Sequence, residues 1–139
     1  NKFAYCNNSF ATLTTTFVLT SKDNSTINLK YLLGILNSKF MQNYSINNAK
    51  KMGSCFEYSS NFIASMPIAT PTSEQEQKMV GFVEQMLKLQ KSFHEDKNVG
   101  GEKERLEQQI KNVDYEINEM VYNLYNITNK ERKIIEQST

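Results

Sequence analysis

Two spacings of apolar residues divide this chain. From Met79 onward the apolar positions step by three and four, as Met79, Phe82, Met86, Leu89 and Phe93, with Val80, Val83 and Leu87 widening the stripe. A second run, Leu106, Ile110, Val113, Ile117, Met120, Leu124 and Ile127, holds an unbroken 4-3-4-3-4-3 register. That spacing puts apolar side chains on one helical face. It predicts a first long helix from about Ser73 to Glu95 and a second through Leu106–Ile127. Asp96–Gly101 between them ends in paired glycines, which form turns readily and helices poorly. A short connection between two heptad-like stripes predicts an antiparallel helical hairpin.

The first half follows other rules. Phe3–Tyr5 and Leu13–Thr20 read as strands, the latter dense in β-branched residues with Leu13, Thr15, Phe17 and Leu19 alternating onto one face. Leu29, Leu32, Leu33, Leu36, Phe40 and Tyr44 then fall on one face of a helix expected over about Asn28–Tyr44. Ser45–Ser54 has no apolar period and contains Gly53, so it reads as a loop, and Cys55–Tyr58 and Phe62–Ile68 read as short extended runs. Pro67 and Pro71 cannot continue a helix, and the S-x-x-E spacing of Ser73 and Glu76 is that of a capping box. The chain is thus expected to hinge at Pro67–Ser73. Thr128 with Glu131 repeats the capping spacing and opens a short last helix. The expected class is α+β: a small mixed β/α lobe over 1–71, then over 72–139 an antiparallel hairpin of long helices and a short C-terminal helix.

Composition narrows the class without fixing it. The chain has 139 residues, 39% of them hydrophobic, with no apolar stretch of membrane-spanning length. It begins at Asn1 and shows no signal-like segment, and it reads as a fragment of a longer protein. Cys6 and Cys55 lack CxxC spacing and fit reduced structural thiols in a cytoplasmic protein. A net charge of +1 argues against a broad nonspecific nucleic-acid clamp, which is usually basic. It does not argue against a module that reads a few bases.

No catalytic constellation is visible. His94 stands alone near a helix end beside Glu95, Asp96 and Lys97, without a second ligand at metal spacing. Cys55 has no neighbouring base to activate it, and the glycines are too scattered to cradle a phosphate. No cofactor is expected. Binding remains: Asn47, Asn48, Lys50, Lys51 and Ser54 share one polar loop, with Lys22 in the preceding polar loop Ser21–Ser25. Lysines suit phosphate, and asparagine can pair bidentately with adenine. On the local sequence alone, a plain surface loop explains the same residues more readily.

Three blocks weigh against that plain reading. They are YLLGILNSK over Tyr31–Lys39, the P-I-x-x-P-x-x-x-x-x-Q entry over Pro67–Gln77, and VYNLYNIT-x-x-E over Val121–Glu131. Together they resemble the TaqI-like C-terminal specificity domain of restriction-modification enzymes, which is related to the specificity subunits of type I systems. Members often carry Asp at the position of Asn118 and Gly at that of Asn126; Asn is the usual stand-in for Gly at a left-handed helix end. The resemblance implies that the N-terminal lobe reads a short sequence of double-stranded DNA for an adenine-methylating, or also cleaving, parent. The partners would be DNA and the catalytic part of the same protein, with no membrane involved. No Asn-Pro-Pro-Tyr-like run and no nuclease carboxylate cluster is present, so this fragment itself should be catalytically inert. Two other classes stay open: a protein-interaction module acting through the helical hairpin, and half of a type I specificity subunit.

Overall fold

The computed structural model describes residues 3–12, 16–23, 27–53, 55–95 and 100–139. Their elements run α1 (Leu29–Asn37), α2 (Lys39–Asn48), β1 (Lys50–Met52), β2 (Cys55–Glu57), α3 (Ser60–Ser65), α4 (Ser73–Phe93), α5 (Gly101–Leu124) and α6 (Asn129–Ser138). The class is α+β, with long helices and one small antiparallel sheet, β1–β2.

The long helices form where the apolar spacing places them, except that α5 ends at Leu124, so Ile127, the last step of the register, lies beyond the helix. Lys103 Nζ lies 5.2 Å from the ring centroid of Phe93, so the end of α4 meets the start of α5. Gln75 and Lys78 face Glu119 and Asn123 across one cleft, so the start of α4 meets the end of α5. The pair is antiparallel. α4 begins at Ser73 as expected, but its capping box lies one residue earlier than the S-x-x-E spacing suggests: Thr72 and Gln75, not Ser73 and Glu76, form it. Glu76 is thereby left to accept a hydrogen bond from the backbone N–H of Asn28 at 3.0 Å, which ties the start of α1 to α4. At the other end of α5, Asn126 takes φ 52. Ile127 N–H donates to Tyr122 O at 2.9 Å and Asn126 N–H to Asn123 O at 3.2 Å, the paired bonds of a Schellman ending. Thr128 and Glu131 then cap α6 reciprocally, as their spacing predicts.

The first half departs from its expected elements in five places. The helix expected over Asn28–Tyr44 breaks at Ser38, whose backbone is extended (φ −66°, ψ 156°). Ser38 Oγ donates to Ile35 O at 2.7 Å and accepts from Met41 N–H at 3.2 Å, so it closes α1 and caps α2. The expected loop Ser45–Ser54 is instead the last turn of α2 followed by the β1–β2 hairpin. Phe62 lies in α3, capped by Ser59, and not in an extended run. Phe3–Tyr5 forms no strand: Asn37 takes the place of one, its Oδ1 accepting from Phe3 N–H and its Nδ2 donating to Phe3 O. Of the expected strand Leu13–Thr20, residues 13–15 lie outside the described residues, and 16–20 join no sheet.

Both halves share one core. Tyr31, Ile35, Leu36, Met41 and Met66 pack with Met79 and Val83 of α4 and Val113, Ile117, Met120 and Val121 of α5. The closest approach is at Gly34, where a Cβ would stand 2.5 Å from Met79 Sδ and 3.1 Å from Val83 Cγ2. Only glycine lets α1 settle that deeply onto α4. The connector Pro67–Pro71 is held by two tyrosines. Tyr125 OH donates to Pro67 O at 2.6 Å and accepts from Ala69 N–H at 3.0 Å, and Tyr31 OH donates to Ala69 O at 2.8 Å. Burial pushes the Tyr31 phenol up to about 12 and raises that of Tyr125, so both stay neutral donors.

Candidate nucleic-acid interface

Helix α2 leads through a single residue, Ala49, into the hairpin. The strands pair Lys50 with Glu57, Lys51 with Phe56 and Met52 with Cys55. Gly53 takes φ 60 at the first loop position, the left-handed value that two-residue hairpin loops use and side chains resist. Lys50, Lys51 and Met52 are all exposed, so β1 stands out from the body of the fold.

The pairing separates the two lysines that are adjacent in sequence. Successive residues of a strand point to opposite faces. Lys50 shares its face with Glu57, and the two form an ion pair at 3.5 Å. Lys51 is on the other face, opposite Phe56, with no ion-pair partner among the described residues. An exposed pair such as Lys50–Glu57 adds little stability, yet it offsets the charge that Lys50 would bring to a phosphate.

The two asparagines lie on the last turn of α2, not in a loop. Asn47 Nδ2 donates to Asn43 O at 2.8 Å and lies 3.3 Å from Asn43 Oδ1, while Asn48 Nδ2 donates to Tyr44 O at 2.8 Å. Both side chains are exposed. Each amide oxygen remains able to accept, as cytosine N4 and adenine N6 require. Bidentate pairing with adenine needs the amide N–H as well, and one N–H of each is engaged within the helix. Ser54 lies outside the described residues. Lys22 is exposed, and no hydrogen bond or ion pair joins it to the hairpin among the described residues.

What fixes the hairpin base is a group of aromatic rings that spacing does not reveal. Phe3 meets Tyr58 edge-on at 6.2 Å between centroids, Tyr58 meets Phe62 at 5.4 Å, and Phe62 stacks on Tyr44 at 6.1 Å. Tyr44 OH also donates to Ser65 O at 3.2 Å. The chain leaving β2 is thus pinned between α2 and α3. Aromatic contacts of this kind contribute about 0.5–1.5 kcal/mol each beyond burial.

Residues 1–68 match the family model of the TaqI-like C-terminal specificity domain. The matched segment contains α1, α2, the hairpin, α3 and all four of these rings. That family is one of DNA-specificity domains of restriction-modification enzymes, and the protruding hairpin and the end of α2 lie inside the matched segment. No curated protein and no solved structure matches the chain.

Among the described residues, no group of three or more His, Cys, Asp or Glu side chains is placed to hold a metal ion. Among the same residues, no helix is long and apolar enough to cross a membrane.

Proposed function

We propose that this chain is the DNA-reading part of a cytoplasmic restriction-modification protein, and that methyl transfer to adenine, or cleavage, belongs to a catalytic part outside it. One observation carries the reading: within the specificity-domain segment, a two-stranded hairpin stands out on a base of packed aromatic rings. The major groove of B-DNA admits an α-helix or a two-stranded β-ribbon. Lys51 would meet phosphate, and the amide oxygens of Asn47 and Asn48 would accept from base edges. α4 and α5, sharing a core with the lobe, would give the catalytic part a rigid surface on which to dock.

Selection of duplexes from a randomised pool by the immobilised chain tests the reading. A short recurrent motif is the expected product. A bound pool with the base composition of the input would show that the chain reads no sequence. The catalytic half of the proposal has its own test, incubation with labelled S-adenosylmethionine and mixed duplexes. The expected transfer is background only, and reproducible incorporation would overturn it.

A further inference from the structure

Helix α6 lies outside the matched segment, but it packs beside α2, the helix that leads into the hairpin. The join is direct: Asn43 Nδ2 donates to Ser138 Oγ at 2.6 Å, and Asn43 O accepts from Asn47 Nδ2. The carboxylates on and under α6 are already engaged. Glu131 caps its own helix by accepting from the Thr128 N–H and hydroxyl. Glu119 and Glu136 both pair with Arg132, whose guanidinium also lies 4.6 Å from the Tyr122 ring centroid. Lys130 and Lys133 remain. Three residues apart, they are neighbours on one stretch of helix surface; both are exposed and neither has an ion-pair partner among the described residues. Lys130 and Lys133 are thus the cations of α6 left without an ion pair among the described residues, since Arg132 is engaged by Glu119 and Glu136.

We infer that α6 forms a second phosphate-contacting strip, with Lys130 and Lys133 gripping the duplex backbone beside the groove that the hairpin enters. This rests on the proposed DNA-reading function and extends the interface past residue 68. Contacts of this kind position a protein on the duplex and carry no sequence information, so the two strips would divide the work: the hairpin and α2 read, and α6 holds.

The test is fluorescence anisotropy of the chain with a labelled random-sequence duplex of about 24 base pairs, titrated at several salt concentrations from about 20 mM upward. It compares Lys130→Ala/Lys133→Ala with Lys51→Ala, and thermal melting checks that each variant is folded. Each lost phosphate contact removes about one unit from the slope of log affinity against log salt. The α6 double variant should lose about two units, which makes the affinity loss between about 50 and about 200 mM salt roughly ten-fold smaller. It should leave the preferred sequence motif unchanged. An unchanged slope in the α6 variant, with a reduced slope in Lys51→Ala, overturns the α6 strip and leaves the DNA-reading function standing. Unchanged slopes in both, or no binding by the unaltered chain at about 20 mM salt, overturn the reading and the inference together.

Discussion

Asn118, in the C-terminal half of α5, accepts a hydrogen bond from the backbone N–H of Lys39, the first residue of α2, at 2.8 Å. Its own Nδ2 donates to Asp114 O at 2.8 Å and to Asp114 Oδ2 at 3.1 Å. A side chain only 5% exposed thus supplies a second cap to α2 from the opposite half of the chain, beside the local cap of Ser38. Helix starts carry backbone N–H groups with no partner in the helix itself, and this one is satisfied across 79 positions of sequence. The orientation of α2, and with it the hairpin, is fixed to α5 through that bond.

Removing it should be costly. Asn118→Ala is expected to destabilise the fold by about 1–3 kcal/mol, since the Lys39 N–H is left partly buried and unpaired. Asn118→Asp should cost less at about pH 7, because a carboxylate accepts the same bond and suits a helix start. It loses the donor to Asp114 and sets two carboxylates together, so its deficit should shrink as the pH is lowered. Urea denaturation of the three proteins at two pH values checks both statements.

Ile117 is 7% exposed and packs within the shared core. Ile117→Asp buries a charge without a partner, which costs several kcal/mol, comparable to the whole stability of many domains. Loss of cooperative melting near ambient temperature is the expected outcome. A melting temperature unmoved by the substitution would place this face in solvent.

The hairpin register makes its two lysines unequal. Lys51→Ala should lower the salt slope of DNA binding by about one unit. Lys50→Ala should change it by less, because Glu57 already neutralises that side chain. Asn47→Ala or Asn48→Ala should instead relax preference at a single base pair, by about 1–3 kcal/mol. Equal slopes for the two lysine variants would place both faces of the hairpin against phosphate.

Acid should loosen the packing of α6. The hydrogen bond from Arg132 holds the Glu119 carboxyl below its usual value of 4.5, and the Thr128 cap does the same for Glu131. A carboxyl depressed by folding adds stability above its unfolded value, and that stability is lost as pH falls through the folded value. Glu119→Gln should therefore melt below the unaltered protein near neutral pH. The gap should close once the pH is well under 4.5. The pair is partly exposed, so the effect is small and salt-sensitive. A gap independent of pH would assign the loss to packing and not to charge.

Local chemistry made much of this fold legible. The register from Leu106 to Leu124 and the Thr128–Glu131 box each depend on residues within a turn or two of one another. Their spacing alone predicts them, whereas the left-handed Asn126 is what the family resemblance implies. The same local view failed at Ser38, because the step of four from Leu36 to Phe40 carries the apolar stripe straight across the break. The hydroxyl of Ser38 could cap a new helix there from sequence alone, but the Asn118 bond that supports it comes from α5.

The candidate site divides in the same way. The sequence determined by itself that Lys50, Lys51, Asn47 and Asn48 are polar and close along the chain. Tertiary structure decided that the asparagines end a helix, that the lysines face opposite ways, and that four rings pin the hairpin base. Gly34 is the same case: the residue is plain in the sequence, but its need appears only when α1 lies against Met79 and Val83. The physical reason is that spacing within an element reports which face is apolar. Which element covers that face, and which partner a polar group finds, depends on segments far apart in the chain.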